Sequence, residues 1–152
     1  MGYAGCEAAR DGRNGVDYHT VMTKPIVQSV KFDATAEELY RIYMDPKLHA
    51  EVTGGPVKIS ARPNSKFTAF GGMLWGATVF TVPARLIVQR WRSENFRDDD
   101  PDSILVLEFS NAGKRGQIDL VHVNVPRQDH AGVTDGWKKY YWDALRAYFK
   151  SR

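Results

Sequence analysis

Residues 136–149 read GWKKYYWDALRAYF, and in this stretch Trp137, Tyr140, Tyr141, Ala144, Leu145 and Tyr148 fall at i, i+3, i+4, i+7, i+8 and i+11. That recurrence is the repeat of one apolar helical face, so the spacing predicts a single long amphipathic helix beginning near Ala131. Between Val57 and Pro126 the helical period disappears. Strand-like runs replace it: VKISA (57–61), KFTAF (66–70), LWGATVFTV (74–82), RLIVQRWRS (85–93), SILVLEFS (103–110) and QIDLVHVNV (117–125). They are separated by turn residues such as Pro63-Asn64-Ser65, Gly71-Gly72 and the segment from Asn111 to Gly116. Runs joined by such short connections form an antiparallel meander. A sheet of this kind has an apolar face that needs a cover, and the only long helix available is the last one.

Working back to the start, IVQSVKF (26–32) alternates Ile26, Gln28, Val30 and Phe32 against Val27, Ser29 and Lys31, the spacing of a half-buried strand after Pro25. Thr35 and Glu38 then form a capping box, and Ala36, Leu39, Tyr40 and Tyr43 share a helical face. Asp45-Pro46 stops this helix and starts another, which Thr53-Gly54-Gly55-Pro56 ends. The order is β-α-α-β-β-β-β-β-β-α. It predicts an α+β fold in which a curved antiparallel sheet wraps a long C-terminal helix, with two short helices after the first strand. Residues 1–24 lack either periodicity and are expected to be a flexible tail ahead of a domain at 25–152. Met22 is a candidate alternative start, and Cys6 an incidental exposed thiol.

The chain has 152 residues, 43% hydrophobic and 26% charged, which fits one folded domain and excludes wholesale disorder. No run approaches the roughly 18 apolar residues that would cross a bilayer as a helix, so membrane insertion is not expected. The formal net charge is +3, and the surplus is spread, with 9 basic and 8 acidic residues up to Gly76 and 12 and 10 after it. The densest basic set, Lys138, Lys139, Arg146 and Lys150, is interrupted by Asp135 and Asp143, so nucleic acid is not an expected partner. One cysteine gives no disulfide framework, and residues 1–20 hold no apolar signal region, so the protein is expected to be cytoplasmic.

Few residues carry a chemical signature. His19, His49, His122 and His130 match no metal-ligand spacing, and Asp98-Asp99-Asp100 with Asp102 lacks the glycine and distal glutamate of a calcium loop. That acidic run reads as a solvated turn. There is no GxSxG elbow, so no catalytic nucleophile, metal or cofactor is expected. Gly71-Gly72 and Gly76 suit turns or close approach rather than a phosphate cradle. In RLIVQRWRS, Gln89 shares a face with Ile87 and Trp91 while Arg90 and Arg92 share the other, making Gln89 a candidate polar group in a pocket. Strand alternation leaves the direction of His122 open. It is either a satisfied sheet histidine, the simpler reading, or an acid-base or ligand-orienting group facing a cavity. Trp137, Tyr141 and Leu145 would form the helix side of such a cavity. Tyr40, Tyr43, Phe70, Trp75 and Trp91 would form its opposing wall.

The element order resembles the helix-grip fold of the START-like, birch-pollen-allergen-like superfamily. FDATAEELYRIYMDPKLHAEVTGGPVKI (32–59), KFTAFGGMLWG (66–76), IVQRWRS (87–93) and GWKKYYWDALRAYF (136–149) further resemble successive stretches of one of its families. That family is named for the C-terminal domain of the activator of heat-shock protein 90 ATPase. The resemblance covers about residues 26–149 and implies a cavity between helix and sheet. Superfamily members variously bind apolar small molecules or act as cyclases or hydrolases. In the chaperone activator the domain follows a separate N-terminal domain, whereas about 25 residues precede the first strand here. The leading expectation is therefore non-catalytic binding of a small apolar ligand by a monomer or homodimer. A stress-response protein associating with a heat-shock chaperone through the outer sheet face comes second. A cyclase or hydrolase using His122 with a pocket Tyr or Gln comes third.

Overall fold

In the computed structural model the described residues are 23–152. Cys6, His19, Met22 and the first 22 residues of the expected tail lie outside them. Thr23 and Lys24 are tied to the domain: the Thr23 hydroxyl donates to the Val125 carbonyl at 2.5 Å, and the Lys24 carbonyl lies 2.8 Å from His130 Nε2.

Six strands form one antiparallel sheet: β1 (Ile26–Phe32), β2 (Ser65–Ala69), β3 (Leu74–Val82), β4 (Leu86–Ser93), β5 (Ser103–Ala112) and β6 (Arg115–Val123). Their order is β1-β6-β5-β4-β3-β2, so β2 to β6 are a meander and the first strand closes onto the last. The run VKISA, expected to be a further strand, is not one. Lys58 alone exchanges two backbone hydrogen bonds with Thr68, at 2.9 Å each, before the chain turns away through Pro63 and Asn64, the latter at φ 61.

Between β1 and β2 lie α1 (Ala36–Met44) and α2 (Pro46–Thr53). Thr35 caps α1, accepting from the Glu38 N–H at 3.1 Å. The reciprocal half of the expected capping box is absent, because the Glu38 carboxylate pairs with Arg152 at the far end of the chain. Asp45 ends α1 and caps α2, taking the N–H groups of Lys47 and Leu48 at 2.9 and 3.1 Å, with Pro46 in the first turn where no N–H is needed.

The C-terminal helix, α3, spans 127–150 and starts one turn earlier than Ala131. It is not uniform. Arg127–Gly136 and Asp143–Lys150 are α-helical, but Trp137–Trp142 widens to a π-helical turn, in which the Asp143 N–H reaches back five residues to the Lys138 carbonyl. Gln28 on β1 grips this stretch, accepting from the Trp142 indole at 2.6 Å and donating to the Thr134 carbonyl at 3.1 Å. The widened turn brings Trp137, Tyr141 and Trp142 all into the core and leaves Tyr140 about half exposed. The core lies between α3, α1 and the inner sheet face, where Ile87, Leu105, Leu107 and Leu120 are fully buried. The molecule is thus an α+β helix-grip fold.

Candidate functional site

A cavity of about 300 Å³ opens between the first half of α3 and the β3–β4 side of the sheet. The helix contributes Val133, Trp137, Tyr140 and Tyr141, and β4 contributes Trp91 and Ser93. Phe70, Met73 and Leu74, at the tight turn entering β3, complete the apolar wall. Gly132 and Gly136, one helical turn apart, also face the space. Both have ordinary helical backbone, and a Cβ at Gly136 would meet nothing closer than Tyr140 Cδ2 at 3.7 Å. A Cβ at Gly132 would lie 3.3 Å from Asp129 Oδ1, so both positions present bare backbone to the space.

One end of the cavity is polar. Asp129, on the first turn of α3 and only 5% exposed, takes the Ser93 hydroxyl on Oδ2 at 2.5 Å and the Asn95 amide on Oδ1 at 3.1 Å. Ser93 in turn accepts from the Asn95 backbone N–H at 3.1 Å, which fixes the three groups as a unit. A second void, of about 20 Å³, lies deeper among Leu39, Ile42, Tyr43, Leu107 and Leu145, and is the size of a water molecule with apolar walls.

The residues singled out from sequence separate into distinct places. Phe70, Trp91, Trp137 and Tyr141 meet at the large cavity. Tyr43 and Leu145 line the small void instead, together with Trp137 and Tyr141. Tyr40 stands edge-on to Phe109, ring centroids 5.7 Å apart, and borders neither space. Trp75, expected on the opposing wall, is on the outer sheet face: it pairs with Arg92 across β3 and β4, and alternation puts both side chains outward. Gln89 points inward but is enclosed, accepting from the Tyr43 hydroxyl at 2.9 Å and donating to Thr78 at 3.2 Å.

His122 is enclosed too. The Trp137 indole can only donate, so His122 Nδ1, 3.1 Å away, accepts, and Nε2 carries the proton toward the Ser103 hydroxyl at 2.9 Å. The Ser103 hydroxyl donates in turn to the Trp91 carbonyl at 2.6 Å. Burial, reinforced by the charge of His130, holds the His122 pKa down to about 3. His49 is the mirror case. Its Nδ1 donates to the Tyr43 carbonyl at 2.8 Å, its Nε2 accepts from the Tyr141 hydroxyl at 3.0 Å, and burial lowers its pKa to about 4 despite the carbonyl contact. Burial likewise raises the Tyr141 phenol, and burial with the neighbouring Tyr141 raises Tyr43. The hydrogen bond between His122 and a pocket Tyr or Gln that acid-base chemistry would need is not formed, since both ring nitrogens are engaged elsewhere.

Asp129, Ser93, Asn95, Gly132 and Gly136 did not emerge from sequence reasoning. The glycines carried a usable signal, because two glycines at i and i+4 inside a helix lower its propensity without a turn to explain them. Asp129 carries none, since it lies ahead of the apolar period that predicts the helix from Ala131. The acidic run is more structured than a solvated turn: Asp102 pairs with Arg92 at 3.1 Å, and Arg92 also donates to the Asp100 and Arg97 carbonyls at 2.6 and 2.7 Å. Among the described residues, no three His, Cys, Asp or Glu side chains converge as a metal site would need, and no helix is long and apolar enough to cross a membrane.

With this geometry in hand, comparison with known proteins gives a consistent set of relatives. The human activator of 90 kDa heat shock protein ATPase homolog 1 is 24% identical over 129 residues, covering 85% of this chain and 38% of that protein. The chain spans between 33% and 42% of the length of the curated relatives it matches. A Plasmodium falciparum HSP90 activator superposes with TM-score 0.77 at 16% identity, over 84% of this chain and 97% of its own. CalU16 from Micromonospora echinospora does so with TM-score 0.67 at 25% identity, over 80% and 73%. The family profile described as Activator of Hsp90 ATPase homolog 1-like protein matches residues 33–150, and the chain belongs to that family.

Proposed function

We propose that this domain binds a small, mainly apolar ligand in the cavity between α3 and β4 without transforming it. The observation that carries this reading is the aromatic-walled cavity faced by two mid-helix glycines, Gly132 and Gly136. A glycine inside a helix costs about 1 kcal/mol relative to alanine, and neither the backbone angles nor close contacts require one at Gly136. The cavity is at the small end of ligand sites, aromatic-walled with a few convergent polar groups. Binding without turnover fits a site whose nearby histidine has both nitrogens occupied within the core. The test is native mass spectrometry and calorimetry with a library of naphthyl- and indole-sized compounds, on the unmodified protein and on Gly136→Leu. Ligands should bind the first and be lost from the second, which should still unfold cooperatively. Equal binding by both would place the ligand elsewhere.

A second reading, docking on a heat-shock chaperone, is favoured by a feature of the outer sheet face. Val27, Val121, Val106, Val88 and Phe80 are aligned in register across five strands as one apolar row. Val27 is 70% exposed and Phe80 42%, and a contiguous exposed apolar patch marks an interaction surface. Relatives named as chaperone ATPase activators supply the partner class. Val88→Lys should leave the melting temperature nearly unchanged and abolish any binding to a purified 90 kDa heat-shock chaperone. If the unmodified chain neither binds that chaperone nor alters its ATPase rate, this reading fails.

A further inference from the structure

Resting on the ligand-binding reading, we infer that the cavity selects an apolar ligand bearing a positively charged amine. Among the described residues Asp129 is the one carboxylate lining the cavity, and no Lys, Arg or His lines it. Both its oxygens accept hydrogen bonds, one from Ser93 and one from Asn95. A carboxylate offers about four acceptor positions, so this one keeps room for a further donor. Among the described residues it has no ion-pair partner. Buried charges are normally paired, and the start of α3 supplies only a partial positive charge, worth at most about 2 kcal/mol. A ligand cation would supply a full counter-charge.

The rest of the cavity suits the same chemistry. The rings of Trp91, Trp137, Tyr140 and Tyr141 surround the space beyond Asp129, and aromatic faces attract cations. At the rim this attraction is already in use, with the Lys139 ammonium 5.3 Å from the centre of the Tyr140 ring. A cavity of about 300 Å³ holds roughly ten to fifteen non-hydrogen atoms, an aromatic or branched aliphatic skeleton with one amine. The amine would donate to Asp129 while the skeleton packs over Trp91 and against Val133.

The test uses three probes on one skeleton: naphthylethylamine, naphthylethanol and naphthylacetate, titrated calorimetrically at neutral pH. The amine should bind at least about tenfold more tightly than the alcohol, and the acetate should not bind. Asp129→Asn should reduce the amine to the level of the alcohol and leave the alcohol unchanged. Alcohol binding as tight as the amine, or an amine advantage that survives Asp129→Asn, overturns the charge selection while leaving the cavity as a ligand site. Failure of all three probes, and of the wider library, overturns the ligand-binding reading itself. If Asp129→Asn does not fold, the ratio of amine to alcohol on the unmodified protein decides the question.

Discussion

Lowering the pH from about 7.5 to about 5 is expected to cost the fold roughly 4 kcal/mol through His49 and His122 alone. In the unfolded chain each titrates near 6.5, whereas in the fold burial holds them at about 4 and about 3. Between those values the unfolded state binds protons that the native state refuses. Stability is therefore flat above 6.5 and falls as the pH drops through the window below it. At pH 5 each histidine has passed about 1.5 units of that window, at 1.36 kcal/mol per unit, or roughly 2 kcal/mol apiece. No carboxylate among the described residues contacts either ring to hold an added proton. His122 is faced by Ser103, Trp137 and Trp91, and His49 by the Tyr43 carbonyl and Tyr141.

Domains of this size are stable by only about 5–15 kcal/mol, so the loss is a large fraction of the total. With a urea slope near 2 kcal/mol/M, the unfolding midpoint should fall by about 2 M between the two pH values. His122→Gln keeps an acceptor for Trp137 and a donor for Ser103, and should roughly halve that shift. Midpoints within about 0.5 M of each other at the two pH values would refute the reasoning. So would His122 ring resonances that titrate near 6.5 in the folded protein.

Two further substitutions probe the packing around the site. In Gly76→Ala the new Cβ would lie 1.9 Å from the Arg90 carbonyl oxygen and 2.8 Å from its carbon, backbone atoms of the paired strand that cannot give way. That variant should lose its near-ultraviolet circular dichroism or fail to accumulate as soluble protein. Tyr141→Phe removes the one donor to His49 Nε2 among the described residues and leaves a buried acceptor unsatisfied, a cost of about 1–3 kcal/mol readable in urea unfolding.

Much of the fold could be read because local and global signals agree in these segments. The β1 alternation, the Thr35 and Asp45 caps and the Arg90/Arg92 outward pattern each have one physical reading, and the sheet takes them as written. VKISA misleads because β-branched residues mark a strand only where a partner runs alongside for several residues, and Lys58 is paired alone. Trp75 was legible in principle. Its neighbour across the sheet, Arg92, reads as outward, but the register linking the two strands is a long-range fact that alternation within one strand does not contain.

The site was less legible, and the reason lies in the π-turn of α3. A strict 3.6-residue repeat puts Tyr140 with Trp137 and Tyr141 on the buried face and sends Trp142 out. One extra residue in the turn exchanges them: Trp142 enters the core to meet Gln28, and Tyr140 swings to the rim of the cavity, where its ring meets Phe70 at 5.7 Å. Just before the turn, Gly132 and Gly136 present bare backbone to the cavity beside Val133, across from Trp91. Such turns are uncommon and often mark functional sites. Here the turn is held by Gln28, a polar residue on the inner face of the first strand, whose amide bonds both Thr134 before the turn and Trp142 at its end. The cavity is therefore shaped by a contact between residues more than a hundred positions apart, a relation that no periodicity within either segment encodes.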